Sequence, residues 1–148
     1  MNLILASKSP RRQELLRGMG FSFEILLRET DESYPDGLSP REVALYIAEK
    51  KARVFEEDEM EGKLLITADT IVVWGNEILG KPQDRQAAIE MLGKLSGTAH
   101  QVITGVALLQ NKTLISISET TRVWFASLTA EEIAFYVDNY RPFDKAGA

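Results

Sequence analysis

Short apolar runs alternate with amphipathic stretches along the chain, and their periods predict most of its elements. Asn2-Leu-Ile-Leu-Ala reads as an apolar strand. Ser9 and Pro10 follow as an N-cap and a first helical residue whose missing N–H costs nothing. Gly18 and Gly20 are stop signals for that helix, and Phe21-Ser-Phe-Glu-Ile-Leu-Leu alternates as a second strand. Residues 29–38 form a polar loop. Ser39-Pro40-Arg41-Glu42 is a capping box, opening a helix that runs to about residue 57. Residues 64–68 and 71–74 are strand material around Asp69-Thr70, and residues 84–95 form a helix ended by Ser96-Gly97. Residues 101–110 and 114–126 are β-rich, with Asn111-Lys112 between them as a hairpin turn. Thr129-Ala-Glu-Glu132 caps a last helix that ends before Arg141-Pro142. Interleaved strands and helices with a hairpin predict an α/β fold on a mixed sheet rather than a purely parallel one. Met91 with Leu95, and Phe135 with Tyr136, sit at helical spacings and are read as core.

Composition narrows the class. The chain has 148 residues, 45% hydrophobic and 26% charged, which fits one globular domain, and no repeat, low-complexity tract or Gly/Ser linker divides it. No run approaches the length of a membrane span, and the N-terminus lacks the basic and apolar regions of a secretory signal. With no cysteine, disulfides, thiolate metal sites and a cysteine nucleophile are excluded; a reducing compartment fits, and the cytoplasm is expected. The formal charge of −5 argues against stable, broad binding to nucleic acid. Any anion it binds is expected to be small and held locally.

Several charged residues lack an explanation in the patterning. Arg11 and Arg12 occupy the first turn of a helix, where the macrodipole favours carboxylates. An anion there would resolve the conflict, with backbone N–H groups, the Ser7 and Ser9 hydroxyls, Lys8 and both guanidiniums facing one phosphate chain; a surface turn with solvated arginines is the plainer reading. Lys51 has Ile47, Ala48, Val54 and Phe55 at helical offsets, so its head either snorkels out or meets a buried anion. Asp69 interrupts the most apolar stretch of the chain and needs a cation, a metal or backbone donors, unless it is an Asx cap at the end of a strand. Glu32 lies in the polar loop and fits a solvated residue. Lys81 stands between Gly80 and Pro82, roomy for close approach or simply a surface turn. His100 is the single histidine, which rules out a multi-histidine metal site, and it reads as structural.

Together these residues supply cations (Arg11, Arg12, Lys51, Lys81), two acids (Glu32, Asp69) and hydroxyls (Ser7, Ser9, Thr70). Phosphoanhydride hydrolysis needs that inventory: positive charge on phosphoryl oxygens, a hard divalent cation on carboxylates, and a base for water. No Gly-rich Walker motif is present, so a P-loop motor or GTPase is disfavoured.

The ordered set Ala6-Ser7-Lys8-Ser9-Pro10-Arg11-Arg12-Gln13-Glu14-Leu15-Leu16, Asp31-Glu32, Glu49-Lys50-Lys51-Ala52, Ala68-Asp69-Thr70-Ile71-Val72, Gly80-Lys81-Pro82, Leu95-Ser96-Gly97 with His100, Thr104-Gly105-Val106 and Asp144-Lys145-Ala146-Gly147-Ala148 resembles the Maf family of nucleoside triphosphate pyrophosphatases, also called septum formation inhibitors. The resemblance implies an elongated mixed α/β fold similar to the inosine triphosphate pyrophosphatase group, with a nucleotide cleft between two lobes. It implies cleavage between the α and β phosphates with Mg²⁺ or Mn²⁺. The Ala68-Asp69-Thr70 and Arg12 pattern is similar to the dTTP/UTP-cleaving branch. By that resemblance Asp69 is the proton acceptor and a metal ligand, and Glu32 helps hold the metal. Ser7, Ser9, Arg11, Arg12, Lys51 and Lys81 bind phosphates, and Arg12 and Thr70 help select the base.

Family members continue past the position of Ala148 through Tyr-Gly-Ile-Gln and some tens of residues more, so residues 1–148 are expected to form one Maf-like domain without that segment. A homodimer accords with the family. The rival readings are a non-catalytic nucleotide-binding regulator of division and septum formation, and a nucleic-acid module built on the Arg-Arg turn, which the acidic balance disfavours.

Overall fold

The computed structural model describes residues 2–56 and 60–148. In chain order its elements are β1 (Asn2–Leu5), α1 (Pro10–Gly18), β2 (Phe23–Ile25), α2 (Pro40–Arg53), β3 (Lys63–Trp74), β4 (Glu77–Leu79), α3 (Arg85–Leu95), β5 (Ala99–Gln110), β6 (Thr113–Trp124) and α4 (Ala130–Tyr140). One sheet runs in the order β2-β1-β3-β5-β6, with β4 paired to β3. Strand β1 is parallel to β2 and to β3, pairing Leu3 with Phe23 on one side and Leu64 on the other. Strand β4 returns antiparallel to β3, with Val72 opposite Leu79. Between β5 and β6 only Asn111 and Lys112 intervene, both at positive φ, the two-residue turn of an antiparallel hairpin. The sheet is therefore mixed, as the sequence predicts.

The chain packs as two compact units, Met1–Asp69 with Thr104–Ser118, and Thr70–Ile103 with Glu119–Ala148; β3, β5 and β6 pass from one to the other. In the first unit, α2 lays Ala48, Ala52 and the following Phe55 on Ile4, Leu65, Ala107 and Leu109, all essentially removed from solvent. Two further features hold the helix down. Thr67 Oγ1 donates to the Ala48 carbonyl at 2.7 Å, satisfying a hydroxyl that is wholly buried. Gly105 lies so close to α2 that a Cβ there would stand 2.5 Å from the Ala44 oxygen. In the second unit, α3 and α4 pack through Ala88, Leu92, Ile133 and Val137, and Val72, Leu79 and Leu95 form a neighbouring cluster. An apolar groove of about 740 Å³ opens there beside Trp124, Phe135 and Tyr136; it contains none of the polar residues singled out in the sequence.

Several predicted boundaries move. Helix α2 stops at Arg53, not near 57, because Phe55 and Glu56 bond back to Ala52 and Arg53 as a tight turn; residue 57 lies outside the described residues. Strand β2 covers only Phe23–Ile25, since the Phe21 N–H is still bonded to the Leu16 carbonyl of the preceding helix. The stretch around Asp69-Thr70 does not break: β3 is continuous through it, so Asp69 is not an Asx cap. Strand β4, three residues long and directly after the turn at Gly75, is absent from the sequence prediction. Phe135 is 63% exposed and not core, because the buried arc of α4 runs through Ile133 and Val137, and a residue two positions from each points the other way.

Candidate active site

Helix α1 begins where its cap residues dictate. The Ser9 hydroxyl accepts the Arg12 N–H at 3.3 Å, and the Ser7 hydroxyl accepts the Ser9 N–H at 3.2 Å. Both serine oxygens thus help to shape the turn as acceptors, and each hydroxyl keeps its own O–H as a donor. The two arginines separate. Arg11 is exposed, while Arg12 turns inward and its guanidinium donates to Ser7 Oγ at 3.4 Å and to the Ala68 carbonyl at 3.2 Å.

Alternation along β3 turns Leu65, Thr67 and Asp69 towards α2. Lys51, one helical step beyond Ala48, meets Asp69 there: Nζ lies 3.0 Å from Asp69 Oδ1 and 3.3 Å from the Ala68 carbonyl. The same ammonium stands 3.2 Å from Glu32 Oε1. Lys51 therefore meets a buried anion rather than snorkelling to water, with its side chain 19% exposed and that of Asp69 12%. Glu32, half exposed, is drawn in from its loop by this contact and is not merely solvated.

The electrostatics follow from that burial. Desolvation pushes the Asp69 carboxyl above its ordinary range; Lys51, and to a lesser degree Arg12, oppose the rise, and Glu32 adds to it. Burial likewise holds the Arg12 guanidinium below its usual value, against the attraction of Asp69 and Glu32. Arg12 stays charged at neutral pH all the same. A carboxylate raised in affinity for protons, flanked by a guanidinium and an ammonium, can take a proton while the cations hold anionic oxygens.

Three of the residues singled out in the sequence, Thr70, Lys81 and His100, belong to the second unit. Thr70 follows Asp69 directly along β3. Lys81 belongs to the second unit and is exposed on the turn after β4. His100 is buried in that unit, its ring edge-on to Phe125 at 4.8 Å, consistent with a structural part. Two features escaped the sequence reading. One is the Ala68 carbonyl, a backbone acceptor that no side-chain inventory reveals. The other is a network on the Glu32 loop: Ser33 donates its N–H and hydroxyl to Asp31, and Lys50 reaches both residues. Those hydrogen bonds hold the Asp31 carboxyl down to about 2. The adjacent charges in Asp31-Glu32 and Lys50-Lys51 were the only signal of it.

Glu32 and Asp69 also pass a test as hosts for a divalent ion. Their oxygens already converge on one cation, the Lys51 ammonium, and carboxylate oxygens are the donors Mg²⁺ and Mn²⁺ take. Among the described residues no three His, Cys, Asp or Glu side chains are placed to hold a metal ion together, so such an ion would complete its shell with phosphate and water.

Comparison with known proteins identifies the family. The sequence model of the family described as Maf-like protein matches residues 2–148. A Bacteroides fragilis protein named dTTP/UTP pyrophosphatase is 50% identical over 147 residues, 99% of this chain and 76% of its own. One of the same name from Flavobacterium psychrophilum is 47% identical, covering 99% of this chain and 75% of its own. In structure the chain is similar to a nucleoside-triphosphatase/dITP/XTP pyrophosphatase of Mycobacterium abscessus (TM-score 0.51, 16% identity, 86% of this chain and 76% of the other). It is also similar to the Ham1 protein of Staphylococcus aureus (TM-score 0.53, 13% identity, 84% and 71%). At those identities the likeness is one of fold. With the family matched from residue 2 to residue 148 and relatives at half identity, the chain belongs to the Maf-like protein family.

Proposed function

We propose that this chain is a pyrophosphatase that hydrolyses dTTP, UTP and modified pyrimidine nucleoside triphosphates to the monophosphate and pyrophosphate, removing unwanted triphosphates. The observation that carries the reading is Lys51 held between Asp69 and Glu32, with Arg12 on the neighbouring carbonyl. Relatives named dTTP/UTP pyrophosphatase support the substrate class over a non-catalytic division regulator.

In this reading water adds to the α-phosphorus, the bond from that phosphorus to the oxygen bridging it to the β phosphate breaks, and pyrophosphate leaves. Asp69 takes the proton of the attacking water, aided by the burial that raises its proton affinity. Arg11, Arg12, Lys51 and Lys81 hold phosphate oxygens, the Ser7 and Ser9 turn orients Arg12, and Arg12 with Thr70 selects the base. Glu32 and Asp69 would hold Mg²⁺ or Mn²⁺, which supplies charge neutralisation on the phosphates when bound. Residues 1–148 act as one pyrophosphatase domain in the cytoplasm, working on a free nucleotide rather than on nucleic acid, with a homodimer as the assembly. No helix of the described residues is long and apolar enough to cross a membrane.

A nucleotide panel incubated with Mg²⁺ or Mn²⁺, resolving monophosphate plus pyrophosphate from diphosphate plus orthophosphate, tests the reading. Pyrophosphate from dTTP and UTP is expected. Orthophosphate as the first product overturns the cleavage position, and saturable binding without turnover favours the regulator.

A further inference from the structure

Glu32 poses a positioning problem. It belongs to the connection between β2 and α2, which contains no helix or strand, and a carboxylate on such a segment is dispersed over many conformations unless the backbone beside it is tied. The ties come from Lys50. Its ammonium donates to Asp31 Oδ2 at 3.3 Å, to the Ser33 carbonyl at 3.0 Å and to Ser33 Oγ at 3.4 Å, so three donors meet three acceptors on the two residues flanking Glu32. Asp31 in turn accepts the Ser33 N–H at 3.0 Å, closing a small ring around Glu32. The Lys50 ammonium also lies over the Tyr46 ring one turn back, 5.9 Å from its centroid. Successive residues on a helix point about 100° apart. Lys50 and Lys51 thus grip three consecutive loop residues from one helix edge, Lys50 the outer two and Lys51 the middle one.

We propose that Lys50 is a positioning residue for the hydrolysis: by clamping Asp31 and Ser33 to α2, it holds the Glu32 carboxylate against Lys51 and Asp69. The inference rests on the functional reading above, in which Glu32 serves the reaction. Lys50 makes no contact with the reacting groups itself and acts through Glu32. Ion pairs this exposed contribute little to global stability, so the clamp matters for placement and not for folding.

Four variants of the full chain test it: Lys50→Met, Lys50→Arg, Glu32→Gln and the double variant Lys50→Met/Glu32→Gln. Lys50→Met is expected to lose about tenfold to a hundredfold in kcat/KM at an unchanged melting temperature, and Lys50→Arg to recover most of it. In the Glu32→Gln background Lys50→Met should add nothing, because its effect runs through that carboxylate. Equal losses in both backgrounds overturn the proposal. Hydrogen exchange at the Ser33 amide gives a readout independent of turnover: protection should fall in Lys50→Met and persist in Lys50→Arg. If the unaltered chain cleaves no nucleotide, the functional reading fails, and unchanged Ser33 protection in Lys50→Met would separately overturn the clamp.

Discussion

Arg12 and Lys51 donate to the same backbone oxygen, the Ala68 carbonyl, at 3.2 and 3.3 Å. One comes from the first turn of α1 and the other from the last turn of α2. A single carbonyl on β3 therefore brings two cations from separate helices beside Asp69, the next residue. Their mutual repulsion is offset by Asp69 and Glu32, so the group is balanced before any phosphate arrives. A phosphate chain with its metal would replace those internal partners.

Removing Lys51 should expose that balance. Breaking a buried ion pair from one side costs about 3–5 kcal/mol, and the half-exposed Glu32 reduces this to about 2 kcal/mol here. Lys51→Met should therefore unfold at lower urea concentration than the unaltered chain. It also removes the largest attraction opposing the upward shift of Asp69, so any residual activity should have its acid limb displaced to higher pH. A melt unchanged by Lys51→Met would mean the pair is not closed in solution.

Asp69→Asn should lower kcat by about 10²–10⁴, as for loss of a general base, while nucleotide still binds. The stability consequence has a definite sign. Because burial raises the folded carboxyl above its ordinary 3.8, the native state holds this proton more tightly than the unfolded chain. Stability from this group is present at low pH and is lost as pH rises from 3.8 through the raised folded value. The asparagine variant should lack that component, seen as a smaller decline in melting temperature over the same rise in pH.

Gly105→Ala should displace α2. Its Cβ would lie 2.5 Å from the Ala44 oxygen and 2.6 Å from the Ala44 carbonyl carbon, backbone atoms that cannot swing aside. The expected loss is about 3 kcal/mol, the upper part of the range for overpacking. Activity should fall too, since α2 carries Lys51 and Lys50. Calorimetry and kcat/KM on the same preparation check both effects.

His100 should make the fold sensitive to mild acid. Its Nδ1 is buried with no hydrogen-bond partner among the described residues, and burial holds its pKa below the ordinary 6.5. The unfolded chain then binds a proton that the native state resists, so stability falls as pH drops below 6.5. His100→Phe, which keeps an aromatic ring against Phe125, should flatten the melting temperature between about pH 7 and pH 5. An unaltered slope would assign it to other groups.

Local chemistry made much of this protein legible. The Ser9-Pro10, Ser39–Glu42 and Thr129–Glu132 caps open α1, α2 and α4 where the sequence predicts, because a cap is satisfied within four residues. The Asn111-Lys112 hairpin is local in the same sense. Lys51 and Asp69 stood out because a charge in an apolar pattern needs a partner somewhere. Which partner was not legible. Asp69 read as a break in a strand, since its own segment offers nothing to neutralise it, and the cation arrives from a helix eighteen positions back. Phe135 read as core because spacing alone does not tell which arc of α4 a neighbouring helix covers.

By itself, then, the sequence determined the periods, the caps and turns, and which charges required long-range company, all consequences of interactions within one or two turns of chain. Only the tertiary structure decided that Lys51 meets both Asp69 and Glu32, that Arg12 shares the Ala68 carbonyl with it, and that Lys50 ties down the loop beside Glu32. Those pairings depend on how closely α2 approaches the sheet. Gly105, Thr67 and the apolar face from Ala48 to Phe55 set that distance together, and no local window of residues contains them all.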